Sequence, residues 1–221
     1  MRVEDIVFNT AGEKAYNYIL DKILSGDLKP GTKLSLRKMA TEIGTSTIPV
    51  IEAVKRLESD MLVQSKPKWG AYVIVPTYDR IKKIFQVREA IECQAARDLC
   101  KDLFLARKEE LYRLATLLDT TPYTPDTVNE SRNIHLQFHM LLTECTGNDI
   151  LLEVLKKVNF YWMLSSAQAT NAPKASYPRY WHRLLMDEIC KEDPELAEKA
   201  MRVHVHDAIV AFDIMHEENL I

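Results

Sequence analysis

The sequence predicts a mainly α protein in two parts: an N-terminal winged helix-turn-helix domain over residues 1–76 and an all-α six-helix bundle over residues 77–221. Three observations carry this. Up to Pro76 the local signals change every few residues and end in a strand, basic turn, strand pattern. From Tyr78 onward the apolar period is helical almost throughout. Proline, glycine and asparagine then cut that second stretch into six helical segments.

The first helix opens on a Thr10-x-x-Glu13 capping box, places Ala15, Tyr18, Ile19 and Ile23 at helical spacing for burial, and stops at Gly26. Lys29-Pro30-Gly31 forms a turn. Residues 36–43 form a short second helix closed by Gly44. Ser46 is placed to N-cap a third helix that runs to about Ser59. Pro49 falls in its first turn, where the missing N–H would have no intrahelical partner. Two short helices separated by Gly44-Thr45-Ser46 make a helix-turn-helix. Strands over residues 62–64 and 71–75 flank Lys66-Pro67-Lys68-Trp69-Gly70. Such a hairpin is a wing: its tip carries cations to phosphate, and Gly70 allows close backbone approach.

In the second part, helices are predicted over residues 79–100, 106–118, 128–145, 149–168, 177–191 and 194–216. The breaks are the stretch 119–126 with Pro122 and Pro125, then Thr146-Gly147-Asn148, Asn171-Ala172-Pro173, and Asp193-Pro194, an N-cap followed by a first-position proline. Six helices in this length make a bundle.

Composition bounds the remaining possibilities. At 221 residues and 47% hydrophobic the chain can fill a real core. No apolar run reaches the ~20 residues that span a bilayer, and residues 1–9 lack the pattern of a secretory leader, so a soluble cytoplasmic protein with no membrane partner is expected. Cys93, Cys100, Cys145 and Cys190 form no CxxC pair, which argues against a thiolate zinc site and a disulfide framework and for reduced packing residues. The net charge of −3 is unevenly spread: residues 1–76 hold 11 basic and 9 acidic residues, the remainder 18 and 23.

The runs Ile23-Leu24-Ser25-Gly26-Asp27-Leu28-Lys29-Pro30-Gly31-Thr32-Lys33-Leu34, Ser46-Thr47-Ile48-Pro49-Val50-Ile51-Glu52-Ala53-Val54-Lys55-Arg56-Leu57-Glu58 and Gly70-Ala71-Tyr72-Val73 resemble the N-terminal motifs of the GntR family of regulators. Downstream, His135-Leu136-Gln137-Phe138-His139, Thr146-Gly147-Asn148, Trp181-His182-Arg183 and the stretch from Asp193-Pro194 to Met201 and His204 resemble the FadR-type ligand-binding domain of that family. The resemblance implies a dimeric, DNA-binding transcription regulator and not an enzyme. It implies DNA contacts from Arg37, Ser46 and Gly70. Thr47 and Ile51 stand where family members carry operator-contacting arginines, so an altered operator is expected. Lys55, Arg56, Lys66 and Lys68 are candidates for phosphate contact beside Thr47.

His135 and His139 are four residues apart, on one helical face, and can chelate a single ion. Flanking apolar residues place His182 and His204 at or beside core-facing stripes. The resemblance makes all four metal ligands, whereas each alone could equally be a hydrogen-bonded core or surface histidine. The family carries aspartate where this chain has His135. Four neutral ligands favour a divalent transition metal, zinc or nickel, over magnesium or calcium. His206 and His216 are expected at the surface. No glutamate sits beside the pair as a general base, which argues against hydrolysis.

In the family the metal's open positions take an effector carboxylate, which suits a small organic acid or sugar acid. Arg88, on the stripe Ile84, Arg88, Ile91, Ala95, is a candidate second anchor for it; the alternative is an internal salt bridge to Glu92. Asn159, Trp162, Ser165 and Ser166 are candidates to line the same cavity or to pack in the core. A second reading of the whole chain, prompted by Thr47 and Ile51, is a metal-dependent small-molecule binding protein with a degenerate DNA-binding head.

Overall fold

The computed structural model describes residues 10–99, 101–122, 124, 126–166 and 181–217, with the backbone alone at 162–166, 211, 214 and 215. The chain divides into two compact units, Met1–Pro76 and Thr77–Ile221.

The first unit begins with α1 (Ala11–Leu24), whose Thr10–Glu13 capping box satisfies two otherwise orphaned N–H groups. Its core face is Ala15, Tyr16, Ile19, Leu20 and Ile23. Tyr16 thus takes the buried place expected for Tyr18. Tyr16 is three residues before Ile19 and shares its face, whereas Tyr18 lies on the flank and bonds the Glu42 carboxylate at 2.7 Å. Helix α2 (Leu36–Ile43) is capped by the Ser35 side chain and ends at Gly44, where φ of 76° is a left-handed conformation that a Cβ would strain.

Helix α3 (Thr47–Ser59) buries Val50, Ala53, Val54 and Leu57 and packs on α1 and α2. Ser46 occupies its N-cap position but makes no side-chain capping bond, contrary to expectation. Strands β1 (Val63–Lys66) and β2 (Gly70–Val73) pair antiparallel with Val63 opposite Val73 and Lys66 opposite Gly70. The ladder therefore runs further toward the tip than the apolar runs suggested, because backbone pairing continues where the side chains turn polar. A third edge joins it. Gly31 donates to the Val73 carbonyl, Val73 to that of Thr32 and Leu34 to that of Ala71, each at 2.9 Å, in a stretch that carries no strand signal.

The second unit comprises α4 (Tyr78–Arg97), α5 (Lys101–Thr120), α6 (Val128–Glu144), α7 (Asp149–Ser166), α8 (Trp181–Ile189) and α9 (Pro194–Glu217). Helix α4 packs against α6, α7 and α9, while α5 packs on α6 and α8, and α8 on α9. Phe85, Phe138, Leu111, Leu142, Leu155, Tyr161 and Met186 are its largest fully buried side chains. Asp193 caps α9 by accepting from the N–H groups of Glu195 and Leu196.

Two boundaries differ from expectation. Helix α4 stops at Arg97, and α5 starts at Lys101 instead of about residue 106. The added turn carries buried Phe104 and an acidic Asp102 suited to a helix N-terminus. The expected ends at residues 168 and 177 lie outside the described residues, as does Cys100. Cys93 and Cys145 are buried and Cys190 is half-buried, each a thiol outside any disulfide among the described residues. No described helix is long and apolar enough to cross a membrane.

Phe138→Ala should lower the unfolding free energy of the second unit by about 3–5 kcal/mol, since it removes a wholly buried ring. Urea denaturation followed by circular dichroism checks this; a loss under about 1 kcal/mol would contradict the packing.

Candidate functional site

Helix α6 presents His135 and His139, α8 presents His182 and α9 presents His204. The bundle brings one ring nitrogen of each within 4.8 Å of the others. His139, His182 and His204 are buried; His135 is half-buried. Ring centroids are 4.4 Å apart for His135 and His139, 4.9 Å for His182 and His204, and 5.3 Å for His139 and His204. Ligands at about 2.1 Å from one ion can be no more than about 4.2 Å apart. In a tetrahedral set they stand about 3.4 Å apart, so the widest pair would close by about 1.4 Å to share a metal.

Carboxylates back two of the rings. Asp119 Oδ1 lies 3.0 Å from His182 Nδ1, and the same carboxylate accepts from the backbone N–H groups of His182 and Arg183. Glu92 Oε2 lies 2.6 Å from His139 Nδ1, without the alignment of a hydrogen bond. Both contacts put a carboxylate on Nδ1 and leave Nε2 for the centre of the cluster, the arrangement that orients a metal-bound imidazole. The Nε2 atoms of His139 and His182 and both ring nitrogens of His204 are buried without a hydrogen-bond partner. Buried polar atoms are nearly always paired, so this donor set fits a cation better than four separately satisfied core histidines. Trp181 covers the other side of His204, stacked at 3.9 Å and 27°. A surface groove lined by Trp181, Leu184, Leu196, Val203 and His204 opens between α8 and α9.

Burial drives His135 and His204 well below the ordinary imidazole range, and the neighbouring histidines and Arg88 push the same way. Burial also lowers His182, with Asp119 opposing. For Glu92 burial favours the neutral acid, yet Arg88 and His139 together outweigh it and hold the carboxyl at about 2. Asp119 shows the same contest, burial against its bonds from His182 and Arg183, and its pKa is lowered. The neutral ring that burial favours at His135, His182 and His204 is the form metal binding requires.

Of the two alternatives for Arg88, the internal pair is formed: its Nε is 2.8 Å from Glu92 Oε1, both groups buried. Glu92 thereby connects Arg88 to His139. Asn159 on α7 is buried, and neither its amide nitrogen nor its oxygen has a partner, leaving it suited to a polar ligand. The side chains of Trp162, Ser165 and Ser166 lie outside the described residues. His206 and His216 are exposed, the latter stacked on Tyr78 at 3.8 Å. Asp119 was missed in the sequence because it was read into the proline-rich break. It stands in the last turn of α5, and its partner is 63 positions away.

In the first unit Arg37, Ser46, Thr47, Lys55, Lys66, Lys68 and Gly70 are all exposed. Gly70 has φ of 97° and Lys68 φ of 66°, which sharpen the wing tip. Lys66 lies over the Tyr72 ring at 5.2 Å. Arg56 is exposed but lies over Tyr16 at 4.3 Å, so its guanidinium already has an aromatic partner. Exposed Ile48 and Trp69 were not singled out as site residues from the sequence.

Residues 11–73 match the family of bacterial regulatory proteins, gntR family, and residues 83–207 match the FCD domain. The chain belongs to the GntR family. It is 29% identical over 195 residues to an HTH-type transcriptional regulator of Bacillus subtilis, YdhC, covering 86% of this chain and 85% of that one. It is 22% identical over 212 residues to the transcriptional repressor RspR of Escherichia coli K12, covering 94% and 91%. A GntR transcriptional regulator from Rhodococcus sp. RHA1 shares the fold with a TM-score of 0.73 at 20% identity, over 90% of this chain and 95% of that one. This GntR chain is accordingly a transcriptional regulator with an FCD ligand-binding domain, and not an enzyme. FCD domains often bind metals, and the histidine cluster lies inside this one.

The depressed histidine pKa values give the metal-free protein a pH dependence of definite sign. Above about 6.5 these imidazoles are neutral in both states and their full stability is present. As pH falls below that, the unfolded chain takes up protons that folded His135, His182 and His204 resist, so stability is lost. Glu92 adds a second loss from about pH 4.5 down to about 2. Thermal melts of the metal-free protein should fall steadily from pH 7.5 to 5, and a flat profile would refute the assignment.

Proposed function

We propose that this regulator is a homodimer that binds a divalent transition metal, zinc or nickel, through His135, His139, His182 and His204, and that a small organic or sugar acid bound at the metal controls its operator affinity. The observation that carries the reading is the convergence of four imidazoles whose outer nitrogens, on His139 and His182, face Glu92 and Asp119. Four neutral ligands leave a dication's charge unreduced, and nitrogen donors favour zinc or nickel over harder ions. A carboxylate at an open coordination position is the natural counterion. Asn159 is the candidate to orient its polar end, and Arg88 acts on the site through Glu92. Repression is supported by the name of the relative RspR.

The metal would tie α6, α8 and α9 together, so both it and the effector act on how these helices pack. Two heads related by a two-fold axis would read paired half-sites, and sedimentation of the protein at micromolar concentration as a monomer would contradict that arrangement. The second reading, a binding protein with a degenerate head, is favoured only by Thr47 and Ile51. Gel shifts with promoter fragments flanking the gene, with and without zinc and candidate acids, decide between them. Retardation that responds to metal or acid supports regulation; its absence at low salt supports the binding protein.

Metal added to the chelator-treated protein should raise the melting temperature, because binding to the native state alone adds stability. His139→Ala and His204→Ala should each abolish that rise, while exposed His206→Ala keeps it. Asp119→Asn should retain the site with metal affinity weakened by roughly 10–100-fold. Calorimetric titration with zinc or nickel reads these values, and indifference of the parent protein to both ions would end the proposal.

A further inference from the structure

The exposed face of α3 is unusual for a surface meant to meet a polyanion. Val50, Ala53, Val54 and Leu57 occupy its buried side. On the side turned to solvent, Ile48 is 66% exposed and Ile51 40%, with exposed Thr47 and Lys55 beside them. At 100° per residue, Ile48 and Lys55 project within about 20° of each other and Ile51 lies about 60° away. The helix thus presents a narrow apolar ridge at its N-terminal half and a cation one turn further on.

The surroundings identify what the ridge meets. Arg37 and Lys38 on α2, Lys55 on α3, and Lys66 and Lys68 on the wing are exposed cations of the same unit. Of the nearby acids, Glu42 is engaged elsewhere, accepting from the Tyr18 hydroxyl and pairing with Lys38 at 3.9 Å, while Glu52 is exposed beside Ile51. An apolar ridge framed by cations complements a DNA groove, where phosphates line the edges and the one apolar group on the major-groove floor is the thymine 5-methyl.

We infer that Ile48 and Ile51 read thymine methyl groups, so that this head selects its operator by apolar contact from α3 while cations on α2, α3 and the wing hold phosphate. Neither residue has a hydrogen-bonding side chain, and Thr47 adds a methyl of its own. Base selection and phosphate affinity therefore rest on different residues. The inference depends on the reading of this unit as operator-binding.

The test uses the full chain and a duplex enriched from a random library by repeated selection. Each thymine in turn is replaced by deoxyuridine, which removes only the methyl. Binding by the parent protein should weaken roughly three- to fivefold for each contacted methyl, the effect of burying one methyl-sized group. Ile48→Ala or Ile51→Ala should erase the thymine–uracil difference at the position that residue touches. Both side chains are exposed, so the variants should melt with the parent, and the uracil series in the parent is independent of variant folding. Lys55→Ala should weaken thymine and uracil duplexes equally and reduce the salt dependence. Equal binding of every uracil duplex, or full discrimination retained in both isoleucine variants, would overturn the inference while leaving DNA binding in place. Failure to retain any duplex at low salt would remove the DNA-binding reading itself and the inference with it.

Discussion

Buried imidazole nitrogens without hydrogen-bond partners are the constraint on which the second unit depends. Each polar atom left unsatisfied inside a protein costs about 1–3 kcal/mol, and Nε2 of His139, Nε2 of His182 and both nitrogens of His204 are in that position. Apolar side chains of similar volume would pack the same space without the penalty. A bundle that keeps these rings aimed at one another gains from them only through a ligand that all can share. In the proposed reading that ligand is a metal shared by α6, α8 and α9, and Phe138 packs edge-on to His139 and His182.

The supporting network explains why such a cluster can persist between binding events. Arg88 and His139 both approach Glu92, so a buried carboxylate stays ionised without solvent. Breaking such a buried set by removing one member leaves an uncompensated charge and is strongly destabilising. A ligand that shifts His139 changes its distance to Glu92, and Glu92 belongs to α4, which packs along α9.

Much of this was legible in the sequence where local chemistry decides the outcome. The capping box at Thr10, the left-handed Gly44 and the Asp193 cap fix helix ends through contacts three residues away or closer, and all stand where the pattern put them. Side-chain period placed Ile84, Arg88, Ile91 and Ala95 on one stripe of α4, and all four are buried. It could not tell whether Arg88 would turn to a ligand or to Glu92, because both lie on one helical stripe and only the surrounding helices choose. Asp119 was invisible for a related reason. Its role is set by α8 arriving from 63 residues away, and a neighbouring proline pair disguised the turn of helix that carries it. The third edge of the wing sheet was equally silent, since Gly31, Thr32 and Leu34 join it through backbone hydrogen bonds that leave no alternating side-chain pattern.

Both units replace charge with neutrality at the point of contact, and the consequences run in opposite directions. At the histidine cluster, His135 stands where the resemblance expects aspartate, so a dication bound there would keep more of its charge and hold an anion more strongly. On α3, Thr47 and Ile51 in place of arginines remove positive charge and weaken the hold on one. In the proposed reading phosphate attraction comes from exposed Arg37, Lys55 and the wing lysines, whose contacts would carry no sequence information. If the apolar ridge reads the operator as inferred, affinity in this head would be salt-dependent and nonspecific in origin, while selectivity would arise from short-range apolar fit that salt does not screen. A change in how two such heads are held would alter the nonspecific part for every DNA sequence alike. Only where the apolar ridges also seat does it become control of a particular operator.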